Sequence, residues 1–204
     1  MNDLTRNMSD KTIEFFFDFG SPTSYLAYTQ LPKIAAERGA ALRWRPMLLG
    51  GVFKATGNAS PVTVPAKGRW MFGDITRWAQ RYGVPFSFNP SFPINTLTLM
   101  RGAVGLQLRR PEAFGSYCDA VFTALWQQQR NLGDAAVLAA TLAEAGFEAD
   151  AFAALTADPE VKAQLIANTD EAISRGVFGA PTCFVGGEMF FGQDRLDFVR
   201  EALG

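Results

Sequence analysis

From Ile13 the chain alternates: Ile13, Phe15, Phe17 and Phe19 fall on one face, and Glu14, Phe16 and Asp18 on the other. Period-two spacing rich in aromatics predicts a β-strand with at least one buried face. Gly20 ends it. Ser21-Pro22 then reads as a helix N-cap followed by proline at the first helical position, where the missing N–H is no loss. The spacing of Tyr25, Leu26, Leu31, Ile34 and Ala35 continues that helix to a stop at Gly39, with a kink expected at the internal Pro32. Ala41 to Met47 offers a second extended segment, closed by Gly50-Gly51. The opening is therefore a βαβ unit, right-handed if its strands are parallel.

The middle of the chain loses the period of two. Residues 58–65, with Pro61 and Pro65 among small polar side chains, read as an ordered loop. Helical segments follow at about 67–82, 95–109, 111–128 and 135–145, with Pro85, Pro90 and Pro93 marking a long irregular connection between the first two. Asp134 and Gly146 fit the cap and stop of the alanine-rich helix, and residues 151–155 fit one further short turn. Asp158-Pro159 repeats the cap-then-proline signature and opens a helix to about Arg175, ended by Gly176. Thr182–Val185 and Glu188–Phe191 are β-prone runs joined by Gly186-Gly187, a strong hairpin signal. A last helix, 194–203, follows. The most economical assembly is α/β: a sheet built from both termini, carrying an all-helical insertion.

Composition narrows the chemistry. Nineteen Lys and Arg against 20 Asp and Glu leave a net charge of −1, which argues against a general nucleic-acid binder. Histidine is absent, removing Ser-His-Asp and Cys-His nucleophilic machinery and histidine-held zinc. Cys118 and Cys183 are far apart, so there is no C-x-x-C redox pair and no cysteine-rich metal site. Each cysteine reads as a small buried hydrophobe. The opening segment, with Asn2, Asp3, Arg6, Asn7 and Asp10, has no apolar core of a signal peptide. No stretch approaches the roughly 20 apolar residues of a membrane span. The expectation is a soluble, cytoplasmic protein of one or two domains, with no metal and no membrane or nucleic-acid partner.

A strand, a four-residue motif opening a helix, and later an X-Pro-Thr leading into a hairpin resemble the thioredoxin fold. The motif positions here hold Ser21-Pro22-Thr23-Ser24, so hydroxyls stand where that fold's redox members carry sulfur, and thiol–disulfide exchange by the protein itself is unavailable. A narrower resemblance is carried by six stretches in order: residues 17–26, residues 48–58, Pro65-Ala66-Lys67-Gly68-Arg69, Phe92-Pro93-Ile94-Asn95, Gly179-Ala180-Pro181-Thr182 and Phe191-Gly192-Gln193-Asp194-Arg195. Together they are similar to the 2-hydroxychromene-2-carboxylate isomerase family and its relative, the kappa-class glutathione transferases. The resemblance implies a thioredoxin-like, glutathione-binding domain (residues 12–50 plus 177–204). It implies a helical insertion domain (51–176) contributing the substrate pocket, and a homodimer. It further implies a glutathione-dependent isomerase of aromatic catabolism, interconverting 2-hydroxychromene-2-carboxylate and trans-o-hydroxybenzylidenepyruvate by reversible thiolate addition. A kappa-like transferase and an inactive thioredoxin-fold binding module are the alternatives.

Ser21 is the candidate catalytic residue. A hydroxyl at a strand-to-helix turn sits where free N–H groups and the positive end of the helix dipole converge, and a thiolate bound there is stabilised. The competing reading is a plain N-cap. Ser24 is expected to be a satisfied first-turn hydroxyl. By resemblance, glutathione is held by Ser21, by Ala180 before a cis Pro181, by Gln193 and Asp194 at the γ-glutamyl end, and by Asn58 and Lys67 at the glycyl end. Asp194 equally suits the N-cap of the last helix. Arg69 and Asn95 are candidates for the small aromatic or conjugated carboxylic acid substrate. Phe53, Trp70, Trp78 and Phe92 are candidates for its apolar wall, each also suited to core.

Overall fold

A computed structural model describes residues 11–204; the polar opening segment lies outside them. Four strands form one sheet in the order β2-β1-β3-β4: β1 (Thr12–Phe17), β2 (Ala41–Pro46), β3 (Thr182–Val185) and β4 (Glu188–Phe191). β1 pairs parallel with β2 and antiparallel with β3, so residues from both ends of the chain meet in the sheet centre. The central strand is buried on both faces. Ile13, Phe15 and Phe17 enter the main core, whereas Phe16 enters a second core with Met47, Val52, Ala172, Val177 and Phe184.

Two helices cover the first face. α1 (Pro22–Arg38) sends Leu26, Leu31 and Ile34 into the core, and α9 (Leu196–Ala202) sends Leu196 and Val199. α1 runs unbroken through Pro32 and stops at Gly39, whose left-handed backbone (φ 62°) returns its N–H to Ala35 and Ala36. The opposite face is covered by α8 (Pro159–Ser174), which lies in the range that reads as insertion. Asn168 donates to the Pro46 carbonyl at 3.0 Å, and Glu171 pairs with Arg45 and, at 3.3 Å, with Arg175. At the hairpin, Gly186 and Gly187 both take positive φ (57° and 91°), the geometry of a tight two-residue turn.

Between the sheet's two halves run α2 (Leu49–Thr56), α3 (Pro65–Tyr82), α4 (Leu97–Arg109), α5 (Pro111–Trp126), α6 (Ala135–Glu144) and α7 (Ala149–Ala157). The sequence pattern closes the second extended segment at Gly50-Gly51; in the structure both glycines lie inside α2. A β-carbon on Gly51 would stand 3.1 Å from the Thr169 methyl, so a bare backbone lets α2 lie close on α8. Residues 151–155 are more than a turn. α7 spans nine residues because Leu155 and Phe152 fill the spaces beside Gly105 and Gly102 of α4, where a β-carbon would collide with them. No helix among the described residues is long and apolar enough to cross a membrane.

Candidate active site

The C-terminal end of β1, the start of α1, α2, the first half of α3 and the segment before β3 enclose a cleft of about 840 Å³. Ser21 sits in its wall, 5% exposed. Its Oγ accepts the Ser24 N–H at 3.0 Å, which is N-cap geometry, and donates to the Ala180 carbonyl at 3.0 Å across the chain. Thr23 Oγ1 lies 2.9 Å from Ser21 Oγ and 3.2 Å from the same carbonyl. Ser21 has one hydroxyl hydrogen. When that hydrogen turns towards a bound anion, Thr23 remains to satisfy Ala180. Capping and ligand binding are therefore compatible, and Thr23, which sequence reasoning passed over, supports the exchange. The Ala180–Pro181 peptide is cis, as is Phe92–Pro93.

Three residues before Ser21, Asp18 is 1% exposed and also borders the cleft. Its carboxylate accepts the Gly20 N–H at 2.8 Å, the Leu49 N–H at 2.9 Å and the Thr96 hydroxyl at 3.0 Å. Leu48 and Thr96, at the N-caps of α2 and α4, provide no side-chain cap of their own. Asp18 supplies the acceptor for the first N–H of α2 and, through the Thr96 hydroxyl, ties the residue before α4 to the strand end. Burial pushes its pKa above the usual carboxylate range, against the lowering effect of those three donors. Gly20 has no room for a side chain: a β-carbon would lie 3.0 Å from the Thr96 methyl. Asp18 went unrecognised because two of its donors are 31 and 78 positions away.

Of the other sequence candidates, Asn58, Lys67, Ala180, Gln193, Asp194, Phe53, Trp70 and Phe92 all border this cleft. Lys67 is exposed, and Trp70 stands 65% exposed at the rim. Asn58 donates to the Phe178 carbonyl at 2.7 Å, joining the loop after α2 to the segment before Ala180. Gln193 is buried, and its carbonyl accepts the Tyr82 hydroxyl at 2.6 Å. Asp194 pairs with Arg195 at 2.6 Å. It is not an N-cap, because a 3-10 turn (Gln193–Arg195) intervenes and α9 begins only at Leu196. Asp74, also on the cleft wall, lies 3.9 Å from Arg77.

The remaining candidates fall elsewhere. Arg69 is exposed and does not border the cleft, although Lys67 and Trp70 of the same helix do. Asn95 is exposed and accepts the Leu97 N–H at 3.0 Å, serving the start of α4. Pro181 is buried beneath the lining formed by Gly179 and Ala180. Trp78 packs on Tyr82 with centroids 5.3 Å apart, away from the cleft. Ser24 departs from expectation: its N–H is bonded to Ser21, but its Oγ is buried without a partner among the described residues. Cys183 and Cys118 are buried outside the cleft lining. Loss of hydration pushes the Cys183 thiol up to about 12 and the Cys118 thiol well above its ordinary value, so neither is a nucleophile at neutral pH. No group of metal-ligating side chains occurs among the described residues.

Comparison with known proteins matches residues 12–204 to the DSBA-like thioredoxin domain. The chain is 33% identical to a 2-hydroxychromene-2-carboxylate isomerase of Sphingobium xenophagum, over 95% of this chain and 98% of that one. It is 29% identical to human glutathione S-transferase kappa 1, covering 95% of this chain and 91% of that one. A solved structure of a 2-hydroxychromene-2-carboxylate isomerase superposes with a TM-score of 0.82 at 32% identity, covering 95% of this chain and 94% of that one.

Proposed function

The chain belongs to the DSBA-like thioredoxin family, within its 2-hydroxychromene-2-carboxylate isomerase branch, and from that premise we propose that it is a glutathione-dependent isomerase of a conjugated aromatic carboxylic acid. One observation carries the reading. At the entrance of α1, where redox members of the fold hold a cysteine, stands the Ser21 hydroxyl, and both thiols of the chain are buried elsewhere. The site can stabilise an anion but has no nucleophile of its own.

The side chains on the cleft wall suit the tripeptide. Lys67 forms no ion pair among the described residues and can take a glycyl carboxylate; Asp194, which pairs with its neighbour Arg195, can exchange that partner for the ligand's ammonium. The Ala180 N–H has no protein acceptor among the described residues and can pair with an extended peptide. Glutathione, when bound, supplies a thiolate able to add reversibly to a conjugated double bond. Ser21 turns its hydroxyl to that anion at the positive end of α1, and Thr23 holds Ala180 in place meanwhile. Phe53, Trp70 and Phe92 form the apolar wall against which an aromatic acid lies. A homodimer in the cytoplasm belongs to the same proposal.

The test is isomerisation of 2-hydroxychromene-2-carboxylate by dialysed, reductant-free protein. Activity is expected to vanish without glutathione, to return on its addition, and to leave the glutathione concentration unchanged. Full activity without glutathione overturns the proposal. The similarity to kappa-class transferases favours a second reading, conjugation of an electrophile, and net glutathione consumption identifies it.

A further inference from the structure

Behind α2, on the side away from the cleft, a second cavity of about 450 Å³ opens between α2, α4 and α8. Its floor is aliphatic, with Leu165 and Ile173 at the base and Ile166 at the lip, 61% exposed. Three cations border it, Lys54 from α2, Arg101 from α4 and Lys162 from α8, against one carboxylate, Asp170. None of the three cations forms an ion pair among the described residues. The surplus is local, since the whole chain carries a net charge of −1.

Arg101 makes the surplus specific. Its Nε is buried, with no hydrogen-bond partner among the described residues. Nε itself is out of reach of a groove ligand; Arg101 borders the groove and forms no ion pair among the described residues, so its two outer guanidinium nitrogens are the ones that can meet an anion there. A guanidinium fork is the complement of a carboxylate, which it grips through two parallel hydrogen bonds. A neutral ligand would leave Arg101 unanswered, and a bare inorganic anion would leave the aliphatic floor wet. We infer that this groove binds an organic carboxylate with an apolar body: the carboxylate on Arg101, flanked by Lys162 and Lys54, and the body on Leu165, Ile166 and Ile173. Because α2 turns Leu49 and Phe53 to the cleft and Gly51 and Lys54 to the groove, an occupant here braces the back of the active-site wall.

Isoleucine-methyl NMR separates the two cavities, since Ile166 and Ile173 border the groove whereas Ile75 and Ile94 border the cleft. Titration of the full chain with 1-naphthoate and with decanoate should shift the Ile166 and Ile173 methyls saturably for at least one acid; the better ligand tells an aromatic from a fatty source. The corresponding alcohols, 1-naphthalenemethanol and decanol, should bind at least tenfold more weakly. Arg101→Gln should weaken the acid at least tenfold, and Lys162→Gln, a rim change that leaves the core intact, severalfold. The inference is overturned by shifts confined to Ile75 and Ile94, by acids and alcohols binding alike, or by affinity indifferent to both substitutions. It is also overturned if the groove methyls respond to dilution of the protein alone, which would mean that a second copy fills the groove.

Discussion

Glu14 lies in β1 and Asp18 follows its last residue, Phe17, so two carboxylates stand at opposite ends of the sheet's central strand. Glu14 is met by cations. Arg175 reaches it at 2.9 Å and Arg45 at 3.3 Å, and the hydrogen bond from Arg175 holds its pKa below the usual range. The Arg175 guanidinium also lies 3.8 Å from the centroid of the Phe184 ring, tying the end of α8 to the sheet. Asp18 is met by neutral donors only, is buried more deeply, and is pushed up by burial. The first arrangement fastens a helix to a sheet. The second holds a buried carboxylate with hydrogen-bond donors but no counter-cation beside the cleft, a stability cost of the kind found at functional sites.

Removing the cleft end of this comparison should give the largest effect. Asp18→Ala orphans the Gly20 and Leu49 N–H groups and the Thr96 hydroxyl together, a loss of about 2–4 kcal/mol even after the buried charge is relieved. Asp18→Asn keeps one acceptor oxygen but turns an amide NH₂ towards a donor, and should recover only part of it. Urea unfolding measures both. An Asp18→Ala protein as stable as the parent would remove Asp18 from its role as the external cap of α2 and the anchor of Thr96 before α4.

Ser21→Ala comes next and separates positioning from chemistry. The cap hydrogen bond to Ser24 is lost with the hydroxyl, about 1 kcal/mol of stability, and so is one bond to a charged ligand sulfur, about 1.5–3 kcal/mol or roughly tenfold to a hundredfold in turnover. Because Thr23 still holds Ala180, Ser21→Ala/Thr23→Val should lose more activity than the two single changes combined. Turnover unchanged in Ser21→Ala would leave Ser21 as a cap alone.

What the sequence disclosed of this site follows from the range of each interaction. The Ser21 cap, the helix entry at Pro22 and the Gly186-Gly187 turn are decided within four residues, and each is legible in the string. Asp194 has the chemistry of a cap, but a 3-10 turn shifts the helix start to Leu196. Gly50-Gly51 has the chemistry of a stop, yet Asp18, far back in the chain, receives the first N–H of α2 and lets a helix start immediately before it. Arg69 lies on α3 and Asn95 two residues before α4, both in motif stretches, yet neither borders the cleft, and Asn95 is engaged at the α4 start. Local rules reached the elements; the walls of the cleft are fixed by contacts between segments distant in sequence.

The smallest expected effect tests the comparison through its sign. Asp18 has a pKa raised above the ordinary 3.8, so its contribution to stability is full below that value and is lost as pH rises through the native one. Glu14 has a pKa lowered from the ordinary 4.5, so its contribution is full above that value and is lost as pH falls through the native one. Glu14→Gln should therefore cost about 0.5–1 kcal/mol near neutral pH and make the loss of stability in acid shallower than in the parent. Asp18→Asn removes the opposing slope and should make that loss steeper. Urea midpoints collected from about pH 7 to about pH 3 read both slopes. If the two substitutions bend the acid limb in the same direction, the cation-paired and cation-free ends of β1 are electrostatically alike, and the cost assigned to the cleft has another origin.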